Sequence, residues 1–249
     1  MSVDIEEHGP VLVIRLNRPA KRNAVDAAMT SGLDAALNRL DDDPRLWAGV
    51  LTGAGDFFSA GTDIAATAGP PTERGGYYGV VRRHRRTPLI AAVEGFALGG
   101  GFEIALACDL IVAARDARFG LPEVARGLVA SSGALFRAPR AVPANVARQL
   151  LLTGAPLPAS RLYQLGVVNE LCEPGQALPT ALGLATEICR NSPVAVRATL
   201  AALQQGVAAD DEAGWSITEQ AVARNQESAD SREGVDAFFE RREPRWRNR

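Results

Sequence analysis

The segment GFALGGGFEIALACDLIVA (residues 95–113) contains the features that decide the fold class and first point to a function. Three consecutive glycines, Gly99–Gly101, are followed by Glu103 in an otherwise apolar run. Where such glycines open a helix, the first N–H groups have no intrahelical partner and lie at the positive end of the helix dipole. The segment therefore predicts a helix start that can receive an oxygen acquiring negative charge, with an acid nearby in the core.

Apolar strands alternate with helices or long loops through the first half of the chain. A helix is predicted from Asp26, because apolar residues follow at helical spacing: Met29, Leu33, Leu37 and Leu40. The predicted strands are residues 11–16, 48–53, 89–95 and 109–114. This alternation indicates an α/β fold with a buried sheet.

The second half of the chain has mainly helical patterns. Only residues 167–171 (VVNEL) are predicted as a strand. The predicted helices cover residues 143–152, 158–165, 176–190, 193–206, 210–227 and 231–240. We therefore divide the chain into a sheet-containing core, residues 1–190, and a helical C-terminal region, residues 191–249.

Composition is typical of a soluble globular enzyme. The 249 residues are 47% hydrophobic and 22% charged, with a formal net charge of -2. Such a charge gives no reason to expect a nucleic acid or an anionic membrane as partner. The acidic N-terminus, MSVDIEEHGP, does not resemble a signal peptide, and no uncharged apolar run reaches ~18 residues. We expect a cytoplasmic protein.

Several common site types are not predicted. Cys108, Cys172 and Cys189 are widely spaced and show neither a disulfide framework nor metal-ligand spacing. The chain has no P-loop sequence and no GxSxG, and the match to a dinucleotide-binding fingerprint is weak. We therefore expect no metal, and catalysis that needs no thiol.

Glycine-rich turns follow two of the predicted strands, at residues 55–64 and 95–105, where ligands bind in α/β folds. Backbone donors from two such loops can form an oxyanion hole. A second acid, Glu123, lies in FGLPEV (119–124), and two glutamates near a polarised carbonyl can perform acid/base chemistry. Residues 66–76, rich in Gly, Pro and Thr, are expected to form a mobile loop that could flank a site.

Four segments together resemble the crotonase superfamily, the enoyl-CoA hydratases and isomerases. They are FFSAGTDI (57–64), AAVEGFALGGGFEIALACDLIVA (91–113), ARFGLPEVARGL (117–128) and SREGVDAFFERREPRW (231–246). The resemblance covers essentially the whole chain in order. It implies a ββα superhelix core with a helical C-terminal trimerisation portion, and a homotrimer or a dimer of trimers.

The resemblance also implies site residues. The backbone N–H groups of Thr62 and Gly100 would form an oxyanion hole for an acyl-CoA thioester, and Glu103 and Glu123 would be the two hydratase acids. CoA is then part of the substrate, and no separate cofactor is expected. The residues expected to contact CoA are Lys21, Arg22, Ala60, Asp63 and Ile64. Hydratases of the family commonly read GxIPGAGG after the second acid, whereas this chain reads GLVASSGA (127–134), with Ala130 and Ser131 replacing the usual Pro and Gly.

The residues are compatible with more than one function. The main expectation is syn addition of water to trans-2-enoyl-CoA; the alternative is double-bond isomerisation with Glu123 alone, or another acyl-CoA lyase reaction. A non-catalytic CoA- or RNA-binding protein is a further alternative, although residues 26–40 contain one basic residue, Arg39, and phosphate backbones would be repelled by the neighbouring aspartates.

Some charged residues also have structural interpretations. Glu103 could instead pair with an arginine, and Asp109 is expected to cap or pair locally. The basic run RRHRR (82–86) is expected to be a solvated or interface surface, with CoA phosphates as the alternative. The same choice applies to the arginines of the tail, Arg241, Arg242 and Arg245.

Overall fold

The structure is a computed structural model and describes residues 1–246. The strands are β1 (Val3–His8), β2 (Val11–Leu16), β3 (Ala48–Gly53), β4 (Leu89–Val93), β5 (Phe96–Leu98), β6 (Leu110–Ala114), β7 (Arg118–Gly120), β8 (Leu157–Pro158) and β9 (Glu170–Cys172). The helices are α1 (Ala27–Asp42), α2 (Gly100–Ala107), α3 (Ala134–Ala141), α4 (Ala144–Thr153), α5 (Ala159–Gln164), α6 (Ala177–Cys189), α7 (Pro193–Gln226) and α8 (Ala229–Glu240). Short 3-10 helices cover Pro19–Lys21, Tyr77–Gly79 and Pro122–Arg126.

A six-stranded sheet with the order β1-β2-β3-β4-β6-β9 forms the centre of the fold. β1 pairs antiparallel with β2, and every other pair in this sheet is parallel. Parallel strands need covered faces, which explains why β3 and β4 are buried throughout and almost entirely apolar. The predicted α/β class is confirmed.

Helices cover the two faces of this sheet. α1 buries Met29, Leu33 and Leu37 in the larger core cluster, and Asp26 caps its first turn by accepting a hydrogen bond from the Met29 N–H, 2.8 Å. α6 packs against the other face through Ala177, Ala181 and Ala185, four residues apart, in a second cluster. The small alanine side chains let α6 lie close to the sheet.

A smaller sheet, with the order β5-β7-β8, brings the functional loops together. β5 pairs parallel with β7, and the loop after β3 joins this arrangement through an isolated parallel bridge between Ser59 and Ala97. The loop after β3 therefore lies beside the strand that leads into α2. The two glycine-rich turns predicted from the sequence are neighbours in the fold.

The structure corrects several predicted elements. The predicted strand 167–171 is wrong in its bounds, since β9 covers Glu170–Cys172. The predicted helices 193–206 and 210–227 are a single helix, α7, because the alanine-rich segment between them continues the helix. The elements not predicted are β1, β5, β7, β8 and α3, of which β5, β7 and β8 have at most three residues each.

The C-terminal region is helical, as predicted. α7 begins at Pro193, close to the predicted boundary at residue 190, and contacts α3 of the core. The last three residues of the predicted region 191–249 lie outside the described residues. Within residues 1–246, no helix is both long and apolar enough to cross a membrane.

Candidate active site

The two glycine-rich loops make close backbone contact at Gly61. Gly61 has a φ of +88°, and a Cβ atom placed there would lie 2.7 Å from the Leu98 carbonyl oxygen and 2.8 Å from the Gly100 nitrogen. Both the positive φ and the lack of space require glycine at this position. The backbone of the loop after β3 therefore lies in close contact with the start of α2.

This approach brings two free backbone donors side by side. Gly100 is the first residue of α2, so its N–H has no intrahelical acceptor. At the bridge with Val25, the Gly61 carbonyl and the Asp63 N–H form the hydrogen bonds, which leaves the Thr62 N–H outside the pairing. Neither the Thr62 nor the Gly100 amide donates a hydrogen bond to any residue in the range 1–246. Two such donors can stabilise an oxyanion.

Glu103 is buried one turn into α2 and is 2% exposed. Its Oε1 accepts hydrogen bonds from the backbone N–H groups of Ser132, 2.7 Å, and Ala134, 3.1 Å. Burial raises the pKa of this carboxyl to about 7, and these two hydrogen bonds oppose the rise. The alternative in which Glu103 pairs with an arginine is wrong, since backbone amides hold it.

Glu123 lies in the 3-10 helix that Pro122 begins, next to the glycine run. A Cβ atom on Gly99 would lie 3.1 Å from its Oε1, and its Oε2 is buried with no hydrogen-bond partner among the described residues. Burial, and secondly the charge of Glu103, raise the pKa of this carboxyl to about 8. A buried carboxyl oxygen without a partner is costly and is typical of a functional site.

The two raised pKa values differ in the sense that acid/base chemistry requires. Because each carboxylate opposes the ionisation of the other, the pair loses its protons in two steps; the two backbone N–H groups stabilise ionised Glu103, whereas Glu123 has a buried oxygen without a partner, so we expect Glu103 to ionise first. Such a pair can supply one base and one proton donor. This order follows from the hydrogen bonds that only Glu103 accepts.

These pKa values predict the pH dependence of turnover. We expect kcat/KM to rise as pH increases through about 7, where Glu103 becomes a base, and to fall above about 8, where Glu123 loses its proton. Initial rates in buffers of constant ionic strength from pH 5 to pH 10 measure this profile. A rate that is flat from pH 5 to pH 7 would contradict the assignment of Glu103 as a buried base.

Three residues near the site were not predicted. Tyr78 is buried with a φ of +58°, and its hydroxyl is 2.8 Å from the Thr62 Oγ1. Ser132, rather than the neighbouring Ser131 singled out in the sequence, is the buried residue that holds Glu103. Asn23 donates hydrogen bonds to the carbonyls of Ala54 and Phe57 and thereby braces the loop after β3. Its position beside Lys21 and Arg22 was the only signal available in the sequence.

The five residues expected to contact CoA lie around the same loop. Lys21 and Arg22 are exposed and form no ion pair with a residue that the structure describes. Ala60 is tied to this segment, because its N–H donates to the Arg22 carbonyl, 3.0 Å. Asp63 instead pairs with Arg18, 3.0 Å, while Ile64 is half-buried. Lys21 and Arg22 therefore retain free charges for a phosphate group.

The basic run RRHRR is only partly a solvated surface. Arg83 is buried and pairs with Asp34, 2.5 Å, and Arg85 is buried and pairs with Asp109, 2.6 Å. The prediction of a solvated or interface surface is wrong for these two, because carboxylates distant in sequence neutralise them. The prediction that Asp109 caps or pairs locally is wrong, since it pairs with Arg85 and accepts a hydrogen bond from the Leu89 N–H, 2.8 Å, both more than a helical turn away in the chain.

The remaining polar candidates have structural partners. In the tail, Arg242 forms ion pairs with Glu233 and Glu240, both 2.5 Å. Burial raises the pKa of the Cys108 thiol to about 12, so it is not a thiolate nucleophile at neutral pH. Across residues 1–246, no group of three or more His, Cys, Asp or Glu residues could hold a metal ion.

Comparison with known proteins gives near full-length matches. Residues 6–249 match the family described as enoyl-CoA hydratase/isomerase. The chain is 39% identical to mevalonyl-coenzyme A hydratase sidH of Aspergillus fumigatus, over 95% of this chain and 91% of that protein. It is 38% identical to enoyl-CoA hydratase EchA19 of Mycobacterium tuberculosis, over 98% of this chain and 96% of that protein.

Solved structures match equally well. The carnitinyl-CoA hydratase of Mycobacterium avium superposes with a TM-score of 0.95 at 39% identity, covering 100% of this chain and 99% of that one. A carnitinyl-CoA dehydratase of Mycobacterium avium superposes with a TM-score of 0.94 at 44% identity and the same coverage.

Proposed function

Because the chain belongs to the enoyl-CoA hydratase/isomerase family, the crotonases, we propose that it hydrates trans-2-enoyl-CoA thioesters through Thr62, Gly100, Glu103 and Glu123. The chain is a crotonase-family hydro-lyase that acts on acyl-CoA thioesters. One arrangement supports these residue roles. Two buried carboxyls with raised pKa values lie beside two backbone amides that have no hydrogen-bond partner.

The amides act on the thioester oxygen. When water adds to the β-carbon of a conjugated thioester, the electron pair of the double bond moves toward the carbonyl and the oxygen becomes an enolate. The N–H groups of Thr62 and Gly100 donate hydrogen bonds to this oxygen and stabilise it more strongly than the ground-state carbonyl. Because they are backbone groups fixed by Gly61 and by the helix start, they need no reorganisation during the reaction.

The carboxyls act on the two carbons. Glu103 removes a proton from water, and the water oxygen forms the new bond to the β-carbon. Glu123 gives its proton to the α-carbon as the enolate collapses. The proton that Glu103 took from water then passes to Glu123 through solvent, which restores the starting state, and the net result is addition of one water molecule. Dehydration of a 3-hydroxyacyl-CoA is the reverse of these steps with the same residues, and relatives named carnitinyl-CoA dehydratase perform a reaction named in that direction.

The second candidate function is isomerisation of the double bond. It needs one proton carrier, and Glu123, with its unpartnered Oε2, could serve alone. The buried Glu103 favours hydration, because a second carboxyl held by two backbone amides has no task in a single-acid mechanism. A protein that bound CoA without catalysis would not need the two buried carboxyls with raised pKa values.

The oxyanion hole can be tested at Thr62 with a matched pair of variants. Thr62→Pro and Thr62→Val both remove the side-chain hydroxyl, but only proline removes the backbone N–H. We expect Thr62→Pro to lower kcat for a short enoyl-CoA by ~100-fold or more relative to Thr62→Val, the usual scale for a lost oxyanion donor. Equal rates in two folded variants would mean that the Thr62 amide does not contact the thioester oxygen.

Gly100 is a less suitable position for this test. A Cβ atom there would lie 2.3 Å from the Tyr78 hydroxyl oxygen and 2.6 Å from Cζ. Gly100→Pro removes the second donor but also displaces Tyr78, so a lower rate would combine two effects. We still expect a loss of at least ~100-fold for this variant.

We also propose that the protein is a homotrimer or a dimer of trimers. Large apolar side chains that are exposed along the C-terminal helices support this proposal. They are Val194, Leu203, Val207, Ile217, Phe238 and Phe239. Light scattering coupled to size-exclusion chromatography should give a mass three or six times the 26.3 kDa of the chain. A monomer mass at micromolar concentration would contradict this proposal.

A cytoplasmic location and an acyl-CoA substrate without a separate cofactor complete the proposal. The nucleophile is water and the electrophile is already activated as a thioester, so the chemistry requires no redox group. Activity that survives exhaustive dialysis against a chelator would support this part, and restoration of lost activity by a metal ion alone would oppose it.

A further inference from the structure

Ser59 is a buried polar residue in the loop that follows β3, shortly before Thr62. Its hydroxyl lies between two backbone groups: it donates a hydrogen bond to the Asn23 carbonyl, 2.8 Å, and accepts one from the Gly61 N–H, 3.1 Å. A carbonyl can only accept and an N–H can only donate, so the direction of the hydroxyl proton is fixed. Ser59 therefore ties the segment before α1 to the residue that precedes Thr62.

The conformation of Gly61 sets the direction of the Thr62 amide. The Gly61 carbonyl and the Thr62 N–H belong to one planar peptide unit, so a fixed carbonyl direction also fixes the N–H direction. The Val25 N–H holds that carbonyl, 2.8 Å, and the Ser59 hydroxyl holds the Gly61 N–H on the other side of its Cα atom. Because glycine has no Cβ atom to restrict its backbone, these two hydrogen bonds restrain its φ of +88°.

The main chain of Ser59 is bonded to the strand that leads into α2. Its N–H donates to the Phe96 carbonyl, 3.1 Å, and its carbonyl accepts from the Leu98 N–H, 3.0 Å, so it pairs with both ends of β5. A Cβ atom on Gly101 would lie 2.5 Å from the Ser59 carbonyl oxygen and 2.9 Å from the Ser59 Cβ, so the first turn of α2 packs directly on this residue. Ser59 therefore contacts the helix start that carries one amide and the loop that carries the other.

Two oxyanion donors are effective only when both point at one oxygen atom. Each must lie at hydrogen-bond distance from that atom, and a hydrogen bond weakens steeply as its donor turns away. The Thr62 amide belongs to an irregular loop and the Gly100 amide to a helix start, so regular secondary structure does not by itself fix one relative to the other. The contacts of Ser59 provide this link.

We infer that Ser59 is the positioning residue of the oxyanion hole: its hydroxyl orients the Thr62 amide toward the oxygen atom that the Gly100 amide also binds. This inference rests on the proposed function, since it takes the thioester oxygen to be bound by these two amides. The Ser59 hydroxyl acts through the Gly61 peptide and not on the substrate, because its proton is already donated to the Asn23 carbonyl.

The test uses acetoacetyl-CoA, because its enolate places negative charge on the thioester oxygen and absorbs in the near ultraviolet. A site that stabilises the enolate lowers the pH at which the bound probe is half ionised, which is the measured midpoint. Ser59→Ala removes both hydrogen bonds, and Ser59→Cys replaces the hydroxyl by a weak donor and acceptor. Thr52→Val is the matched control, because it removes another buried hydroxyl, which donates to the Ala92 carbonyl within the sheet, 3.0 Å.

We expect Ser59→Ala to raise the midpoint of the bound probe by ~1 pH unit, a ~10-fold loss of enolate stabilisation and the scale of one hydrogen bond to a charged oxygen. The kcat for hydration of crotonyl-CoA should fall by a similar factor with KM little changed, because donors to a developing oxyanion act mainly in the transition state. Ser59→Cys should shift the midpoint in the same direction by a smaller amount. Thr52→Val should leave both the midpoint and kcat unchanged.

Two results would overturn the inference. One is a midpoint equal to that of the wild-type chain in Ser59→Ala, or in Ser59→Cys where the alanine variant does not fold. The other is an equal shift in the Ser59 variant and in Thr52→Val, which would mean that the lost hydroxyl acts only through the stability of the fold. Failure of the proposed function looks different, because the wild-type chain would then bind acetoacetyl-CoA without lowering its midpoint below that of the free thioester.

Discussion

Glu123→Gln is expected to lower both hydration of a short enoyl-CoA and exchange of the α-proton of a saturated acyl-CoA, each by ~100-fold or more. The physical reason is that Glu123 carries the proton of the α-carbon in both reactions, and glutamine cannot carry it. Hydration is followed by the loss of absorbance of the conjugated thioester. Exchange is followed in deuterated water by mass spectrometry or NMR.

The neighbouring residue Val124 offers a control for this variant. Val124 is exposed on the same short 3-10 helix, so Val124→Ala should leave both rates close to those of the parent while perturbing the segment similarly. A Glu123→Gln protein with a normal circular dichroism spectrum and normal exchange would show that another group handles the α-proton.

Glu103→Gln is expected to separate the two reactions. Its carbonyl oxygen can accept the same two hydrogen bonds from Ser132 and Ala134, so the local structure is retained while the base is lost. We expect hydration to fall by ~100-fold or more, because water is no longer deprotonated. Exchange at the α-carbon should be much less affected, since Thr62, Gly100 and Glu123 remain.

The comparison of the two rates makes this variant informative. A general loss of folding would lower both, whereas loss of the water base lowers hydration selectively. Hydration at the parental rate in Glu103→Gln would refute the two-acid mechanism and leave isomerisation by Glu123 as the better account.

The elements that could be predicted from the sequence are those whose own pattern of apolar residues indicates which faces are buried. β2 and β3 are mainly apolar because both faces are covered, and α1 shows its buried stripe at helical spacing. β5 and β7 have three residues each and depend on pairing with one another across the chain, so no local pattern marks them. α3 contains Pro139 and two arginines, which masks its buried face.

The site residues likewise fall into those that the sequence identifies and those that only the fold identifies. Glu103, Glu123 and the glycine runs could be identified in the sequence because their residue types are unusual in their surroundings and because they match a family pattern. Tyr78 could not, since its importance depends on a left-handed backbone conformation and on contact with Thr62 and Gly100, which only the fold brings about. The burial of Arg83 and Arg85 likewise depends on carboxylates distant in sequence.

The most direct test of the central claim is the product formed from crotonyl-CoA by the wild-type protein in water enriched in both ¹⁸O and deuterium. The two-acid mechanism predicts loss of the conjugated thioester absorbance and a 3-hydroxybutanoyl-CoA that carries one ¹⁸O at the β-carbon and one deuterium at the α-carbon. A crotonyl-CoA that keeps its absorbance and gains no ¹⁸O, while a 3-enoyl-CoA supplied separately is converted to the 2-enoyl isomer, would contradict hydration and assign the site to isomerisation.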